Sequence, residues 1–227
     1  MAELCDDLAA EHAALDAIVA GLDEAQWSLP TPAEGWSVRD QIAHLAYSDV
    51  AAYLAAAEPD GFTSDLAAVP RGERQQRQLA IGRAMSGRQL LHWWRLSRAA
   101  MVEAFRRLDA RARLPWFGPS MSARSFATAR LEETWGHGQD VVDALGVTRE
   151  PTDRLRHVAH LGVITRVYSF TNQGRPAPTV DVRVEVVSPG GSVWSWGDVE
   201  AVDRVTGPAL DFCLVVTRRR HVADTRL

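Results

Sequence analysis

Four stretches of this chain place apolar residues three or four apart over long spans, and that spacing restricts the fold more than any other feature. Residues 2–22 carry Leu4, Leu8, Leu15, Val19 and Leu22 in this pattern, and the proline-rich "LPTPAEGW" (29–36) then breaks the chain. Ser37 followed by Asp40 is a helix start of the capping-box type, with Asp in the place of Glu. The helix it opens carries Val38, Ile42, Leu45, Val50 and Tyr53 and runs to about Ala57. A polar, arginine-rich stretch (70–88) leads into a third helix through Leu90, Trp94, Met101, Phe105 and Leu108. After a loop, "LPWFGPSMS" (114–122), a fourth helix runs from about Ser122 to Leu145, with Gly146 as its C-cap. Each helix has an apolar stripe to cover, and four of them suggest a four-helix bundle.

The tail changes character. Pro151 suits the first turn of a fifth helix continuing through Leu155, Val158, Val163 and Val167. Val180, Val182, Val184 and Val186 then alternate with Asp181, Arg183 and Glu185, and Pro189–Gly190–Gly191 turns into a second alternating run, a β-hairpin. "TGPALDFCLVV" reads as a last helix capped by Thr206, with Pro208 at its first position. The expected architecture is mainly α: a bundle over residues 1–148 and a small α+β domain over 149–227, within what 227 residues allow.

Composition removes several kinds of chemistry. All 25 basic residues are arginine, so a catalytic lysine, a Schiff base, a pyridoxal phosphate anchor and a P-loop are excluded. A net charge of −4 gives no electrostatic reason to expect nucleic acid. Cys5 and Cys213 form neither a disulfide framework nor a CxxC knuckle. The acidic N-terminus lacks the pattern of a signal peptide, and no apolar run approaches the roughly 20 residues of a membrane span. The expectation is a cytoplasmic protein without a membrane partner.

One polar row on the fourth helix needs an account. Arg130, Glu133, His137 and Asp140 lie along one stripe, while Leu131, Trp135, Val142 and Leu145 lie roughly opposite and serve packing. A Glu and a His at i and i+4 can reach one cation, and as a bare pair they can also be a solvated polar face or a local hydrogen bond. Among the other histidines, His44 stands out by its mid-helix position, where a half-buried, satisfied histidine is the alternative. His157 and His160 are three apart but have no carboxylate pattern beside them. Gly136 and Gly138 flank His137 inside the helix, at a cost of about 1 kcal/mol each relative to alanine.

"PTPAEGWSVRDQIAHLAYSD" followed by "RLEETWGHGQDVVDALG" resembles the DinB-like proteins, and within them the mycothiol-dependent maleylpyruvate isomerase group. The helix-start signature of that group is matched by Gly35, Trp36, Ser37, Val38, Asp40 and His44, and the second signature by Arg130, Glu133, His137 and Asp140. The resemblance covers about residues 4–146, and the segment that follows looks like the smaller C-terminal domain of the group. It implies a DinB-type four-helix bundle in which His44, Glu133 and His137 hold one divalent metal ion, most often zinc, and act catalytically through it. Three protein ligands of this kind leave a fourth position open, as catalytic zinc requires. Arg130 and Asp140 stand behind the ligands, and Asp140 either orients one of them or is a surface charge.

The resemblance further implies a metal-dependent transferase or isomerase that uses the thiol of mycothiol on a small electrophilic metabolite. An external thiol fits the absence of cysteine from the motif. The rivals are a zinc-dependent hydrolase and a non-catalytic metal- or ligand-binding stress-response protein. Arg83, Arg88, Arg95 and Arg218 to Arg220 are candidates for holding carboxylates, with none singled out. Trp93, Trp94 and Trp116 line a pocket or pack the core, and an exposed face with Trp93 and Trp94 could bury itself in a homodimer.

Overall fold

The computed structural model describes residues 1–227, except for the side chain of Asp65. The chain forms two compact units, Met1–Thr148 and Arg149–Leu227. In the first, α1 (Ala2–Val19) is followed by the single turn α2 (Glu24–Trp27) and by α3 (Val38–Ala57). A short turn, α4 (Pro59–Gly61), runs into a π-helical turn (Phe62–Leu66), and α5 (Arg71–Arg83), α6 (Gly87–Arg106) and α7 (Ala123–Leu145) complete the unit. Between α6 and α7, the two-residue strands β1 (Arg113–Leu114) and β2 (Met121–Ser122) pair antiparallel and pinch off the loop that carries Trp116 and Phe117.

The four long helices close into a ring, since α3 packs on α6 and α7, and α1 packs on the same two. Their stripes meet in a core that includes Leu15, Ile42, Leu45, Leu90, Trp94 and Val141. Caps set the helix limits. Ser37 Oγ and the Asp40 carboxylate complete the box that starts α3, Ser122 Oγ caps α7, and Gly146, at φ 63°, ends α7 in the left-handed conformation. The two glycines beside His137 do not interrupt α7, and both are buried in it. Trp94 has no exposed surface, so the exposed face with Trp93 and Trp94 does not exist; its indole N–H donates to Asp49 at 3.2 Å instead.

The arginine-rich stretch before α6 departs from expectation, because much of it is the helix α5. It escapes the apolar pattern because it buries only Gln78 and Gly82. It packs on α3 through Gly82, where an added Cβ would lie 2.3 Å from the Cβ of Ala43.

In the second unit, α8 (Leu155–Ile164) and α9 (Arg166–Asn172) precede β3 (Val182–Val187), β4 (Val193–Trp196), β5 (Asp203–Pro208) and α10 (Ala209–Val216), and a 3₁₀ turn (Val222–Asp224) follows. The hairpin β3–β4 is antiparallel as its alternation predicts. Pro151 lies outside the helix, which starts only at Leu155, and the Asp153 carboxylate accepts from the Gly190 N–H of the hairpin turn. Thr206 is no helix cap, because residues 203–208 pair in parallel with β3 and place Thr206 opposite Glu185. Helix α10 starts only at Ala209, with Pro208 closing the strand, a position that an edge strand tolerates. The sheet order is β4-β3-β5, and α8 and α10 pack together and against it. Among the described residues, no helix is long and apolar enough to cross a membrane.

Gly82→Val should therefore push α5 off α3. We expect a loss of about 1–3 kcal/mol by denaturant unfolding, the usual range for overpacking. A midpoint equal to that of the unsubstituted protein would show that α5 is not held by this contact.

Candidate metal centre

His44 lies on α3, and Glu133 and His137 lie one turn apart on α7. Because α3 and α7 pack side by side, the three side chains converge. Glu133 Oε2 is 3.0 Å from His44 Nε2 and 3.2 Å from His137 Nε2, and the three donor atoms all lie within 4.8 Å of one another. A tetrahedral ion with bonds of 2.0–2.1 Å needs ligand atoms about 3.3 Å apart, so the carboxylate edges already have the right length. Two imidazole nitrogens and one carboxylate oxygen also form a donor set suited to zinc. The residues fit a divalent cation.

The surroundings determine how each ring is held. His137 Nδ1 lies 2.6 Å from Gln41 Oε1, and Gln41 Nε2 donates to Thr31 Oγ1 at 2.8 Å. Thr31 Oγ1 donates in turn to the Trp36 carbonyl, at 3.0 Å. With its own proton committed, Thr31 must accept from the amide, which turns the amide oxygen of Gln41 toward His137. That oxygen can only accept, so the network assigns a proton to Nδ1; Nε2 donates to Glu133 when the ring carries a second proton, and in the neutral ring its lone pair faces the same point. Trp36 then stacks on the same ring, at 5.9 Å between centroids and 15° between planes. His44 is held differently. Its Nδ1 is buried without a hydrogen-bond partner among the described residues, and its ring lies against Trp36 at 5.5 Å and His137 at 4.4 Å. On the Nδ1 side, His137 is thus anchored by a hydrogen bond and His44 by packing.

Trp36 is itself fixed from below. The loop before α3 closes through Thr31 N–H to the Trp36 carbonyl, at 2.8 Å. Arg83 of α5 clamps both oxygens of Asp40, at 2.9 and 3.0 Å, and reaches the Gly35 carbonyl. Burial opposes ionisation of Asp40, but Arg83 and Ser37 outweigh it and lower the carboxyl.

Burial likewise opposes ionisation of Glu133, yet hydrogen bonds from His137 and His44 hold its carboxyl well below the usual carboxylate range. Because 38% of the side chain stays exposed, solvent screens part of this effect. Behind the three converging side chains, Asp140 Oδ2 is 3.9 Å from His137 Nδ1. Arg130 does not touch them: its Nε and Nη2 reach Asp49 Oδ1 at 3.2 and 2.9 Å.

His44 and Glu133 border a cavity of about 330 Å³ whose wall includes Trp36, Trp116, Phe117 and Arg130. Helix α5 adds Arg71, Arg74, Gln75 and Gln78. Of the three tryptophans considered from the sequence, Trp116 is in this wall, Trp94 is in the core, and Trp93 packs against the core. Arg83 and Arg95 are engaged with Asp40 and Asp16, while Arg88 and Arg95 border a separate hollow between α1 and α6. Arg218 to Arg220 belong to the second unit, as do His157 and His160, and Trp196 donates to His160 Nδ1 at 3.2 Å. Sequence reasoning missed Gln41, which sits one turn before His44 where a glutamine draws no notice, and the contribution of α5 to the cavity.

Replacing Gln41 with Leu removes the acceptor for His137 Nδ1–H. Metal affinity measured against a chelator should fall about 10–100-fold, the usual effect of losing such a partner, with helicity unchanged. Unaltered affinity would mean that stacking on Trp36 suffices. A lowered carboxyl stabilises the fold above the unfolded Glu value and loses that contribution as pH falls through the folded one. In metal-free protein, Glu133→Gln should therefore flatten the decline in melting temperature below about pH 4.3. A decline as steep as before would assign the acid limb to other groups.

Comparison with known proteins gives the same frame. Uncharacterized proteins from two Mycobacterium tuberculosis strains are each 46% identical over 220 residues, covering 96% of this chain and 85% of theirs. A crystal structure of a histidine-to-alanine mutant of the mycothiol-dependent maleylpyruvate isomerase superposes with a TM-score of 0.69 at 18% identity, covering 98% of this chain and 90% of that one. A second crystal structure of mycothiol-dependent maleylpyruvate isomerase gives 0.66 at 19% identity, covering 94% and 87%. At such identities the likeness establishes the fold. The family model for the mycothiol maleylpyruvate isomerase N-terminal domain matches residues 8–142, most of the helical unit and all three converging side chains, and the chain belongs to that family.

Proposed function

We propose that this protein is a divalent-metal-dependent enzyme, with zinc the expected ion, that uses a low-molecular-weight thiol, mycothiol, to isomerise or conjugate a small electrophilic metabolite. The observation that carries this reading is the convergence of His44 Nε2, Glu133 Oε2 and His137 Nε2 beside a cavity with aromatic and cationic walls. Held by those three atoms, a divalent cation would lower the pKa of a thiol or of water at its remaining position.

The protein's own groups do the rest. Gln41 fixes the tautomer and direction of His137, Trp36 covers both imidazoles, and Asp140 places a negative charge behind His137. Trp116 and Phe117 give the substrate a dry wall, which strengthens every charge interaction inside. The names of the related crystal structures support a thiol as nucleophile, and so do the cysteines here: Cys5 and Cys213 are both buried, and neither is in the cavity wall.

Purified protein should hold about one divalent ion per chain. The triple substitution His44→Ala, Glu133→Ala and His137→Ala should abolish metal binding, and metal that survives it would refute the ligand set. Metal-dependent turnover of small electrophiles should require mycothiol and be weak with glutathione. Ester or amide hydrolysis at comparable rates without any thiol would replace this reading with a hydrolase.

A further inference from the structure

Arg130 is a buried cation in the wall of the cavity. It is 2% exposed, and its Nε and Nη2 both reach one oxygen of Asp49. The other oxygen of Asp49 accepts from Trp94 Nε1, so the carboxylate is fixed from two sides and cannot swing to take a third guanidinium nitrogen. Arg130 Nη1 has no hydrogen-bond partner among the described residues. Nor is it sealed in, because the buried side-chain atoms without a partner, among the described residues, are His12 Nε2 and His44 Nδ1. Arg130 forms part of the cavity wall beside Glu133 and His44, so Nη1 meets the cavity.

The wall around it favours an anion. Arg71, Arg74 and Arg130 face a single carboxylate, Glu133. Arg74 is engaged: Nη1 donates to the Val69 carbonyl, and the guanidinium lies 3.9 Å from the centre of the Phe117 ring. Arg71 is exposed on the first turn of α5. Arg130 alone of the three is buried, oriented by a fixed carboxylate and left with an uncommitted donor. Flat apolar surface from Trp36, Trp116 and Phe117 completes the cavity.

We propose that Arg130 is a substrate-contacting residue whose Nη1 anchors the carboxylate of a planar organic anion in this cavity, with Asp49 as its orienting partner. The inference rests on the cavity being the substrate site, and it needs neither metal nor thiol for its test. In calorimetric titration of metal-free protein, benzoate should bind at least about tenfold more tightly than benzamide, its neutral counterpart, as expected of a charge-assisted hydrogen bond. Arg130→Lys keeps a cation for Asp49, but its compact ammonium, drawn onto that carboxylate, lacks the outer nitrogen that reaches the cavity. It should bring benzoate down to the benzamide level with melting temperature and metal content retained.

A wild-type preference that survives in Arg130→Lys, or no preference in the wild-type protein, overturns the proposal. If that variant does not fold, a crystal of wild-type protein with 4-bromobenzoate decides: a carboxylate on Arg130 Nη1 upholds the assignment, and one on Arg71, Arg74 or the histidines overturns it. Failure of thiol-dependent turnover would end the functional reading and leave the benzoate result standing. Turnover with a silent titration would do the reverse.

Discussion

Asp49 is a carboxylate with no exposed surface in the middle of a helical bundle, a place where an unpaired charge is not tolerated. It lies on α3, receives Arg130 from α7 and Trp94 from α6, and has His12 of α1 3.9 Å away. Burial raises its pKa, and the Arg130 charge is the largest effect opposing that rise. Breaking such a pair on one side costs about 3–5 kcal/mol, because the remaining charge stays buried. The pair therefore acts against sliding: α3 and α7 cannot shift by a turn without separating Asp49 from Arg130. Glu133 follows Arg130 by one turn, and His44 precedes Asp49 on α3, so the same constraint sets the spacing of the candidate ligands.

A second chain of dependence runs through side chains distant in sequence. Arg83 on α5 holds Asp40 and the Gly35 carbonyl, which fixes the loop ahead of α3. That loop places Thr31 against Gln41 and Trp36 against His137. The helix start, the π-stack and the imidazole tautomer are thus one unit, and loosening α5 would be felt at His137. The asymmetry between the two imidazoles follows as well. The Nδ1 side of His137 has a hydrogen-bond anchor, whereas that side of His44 is held only by the packing around α3.

How much of this was legible in the sequence varies with the kind of interaction. Helices α3 and α7 were readable to their ends because caps and apolar spacing agree there: Ser37 with Asp40, and Ser122 with Gly146. Helix α5 was not, since it buries a glutamine and a glycine, and no apolar period remains to be seen. Strand β5 was hidden for another reason. Its "TGP" ending imitates a helix cap, and its pairing depends on β3, a non-local partner that local pattern cannot supply. Trp93 and Trp94 are neighbours about 100° apart around a helix, and only the packing of α6 on α3 decides that Trp94 turns inward.

The candidate site shows the same division. The i, i+4 spacing brings Glu133 and His137 to one face of α7, while His44 joins them only through tertiary packing, and the family motif was its signal. The polar groups that aim these side chains carry weaker signatures. Gln41 is an ordinary helix residue until the position of His137 is known. Asp49 offered a weaker clue, a carboxylate running into the apolar stretch 50–52, where a buried acidic group is rare unless it is paired with a cation. Arg130 is that cation, and meeting this demand takes only two of its nitrogens. A guanidinium can serve a buried carboxylate and still face a cavity, because its planar fork presents donors in more than one direction from one rigid group. A lysine ammonium drawn onto Asp49 has no second nitrogen to hold toward the cavity. The requirement that holds the bundle together thus also leaves an oriented donor beside the candidate ligands.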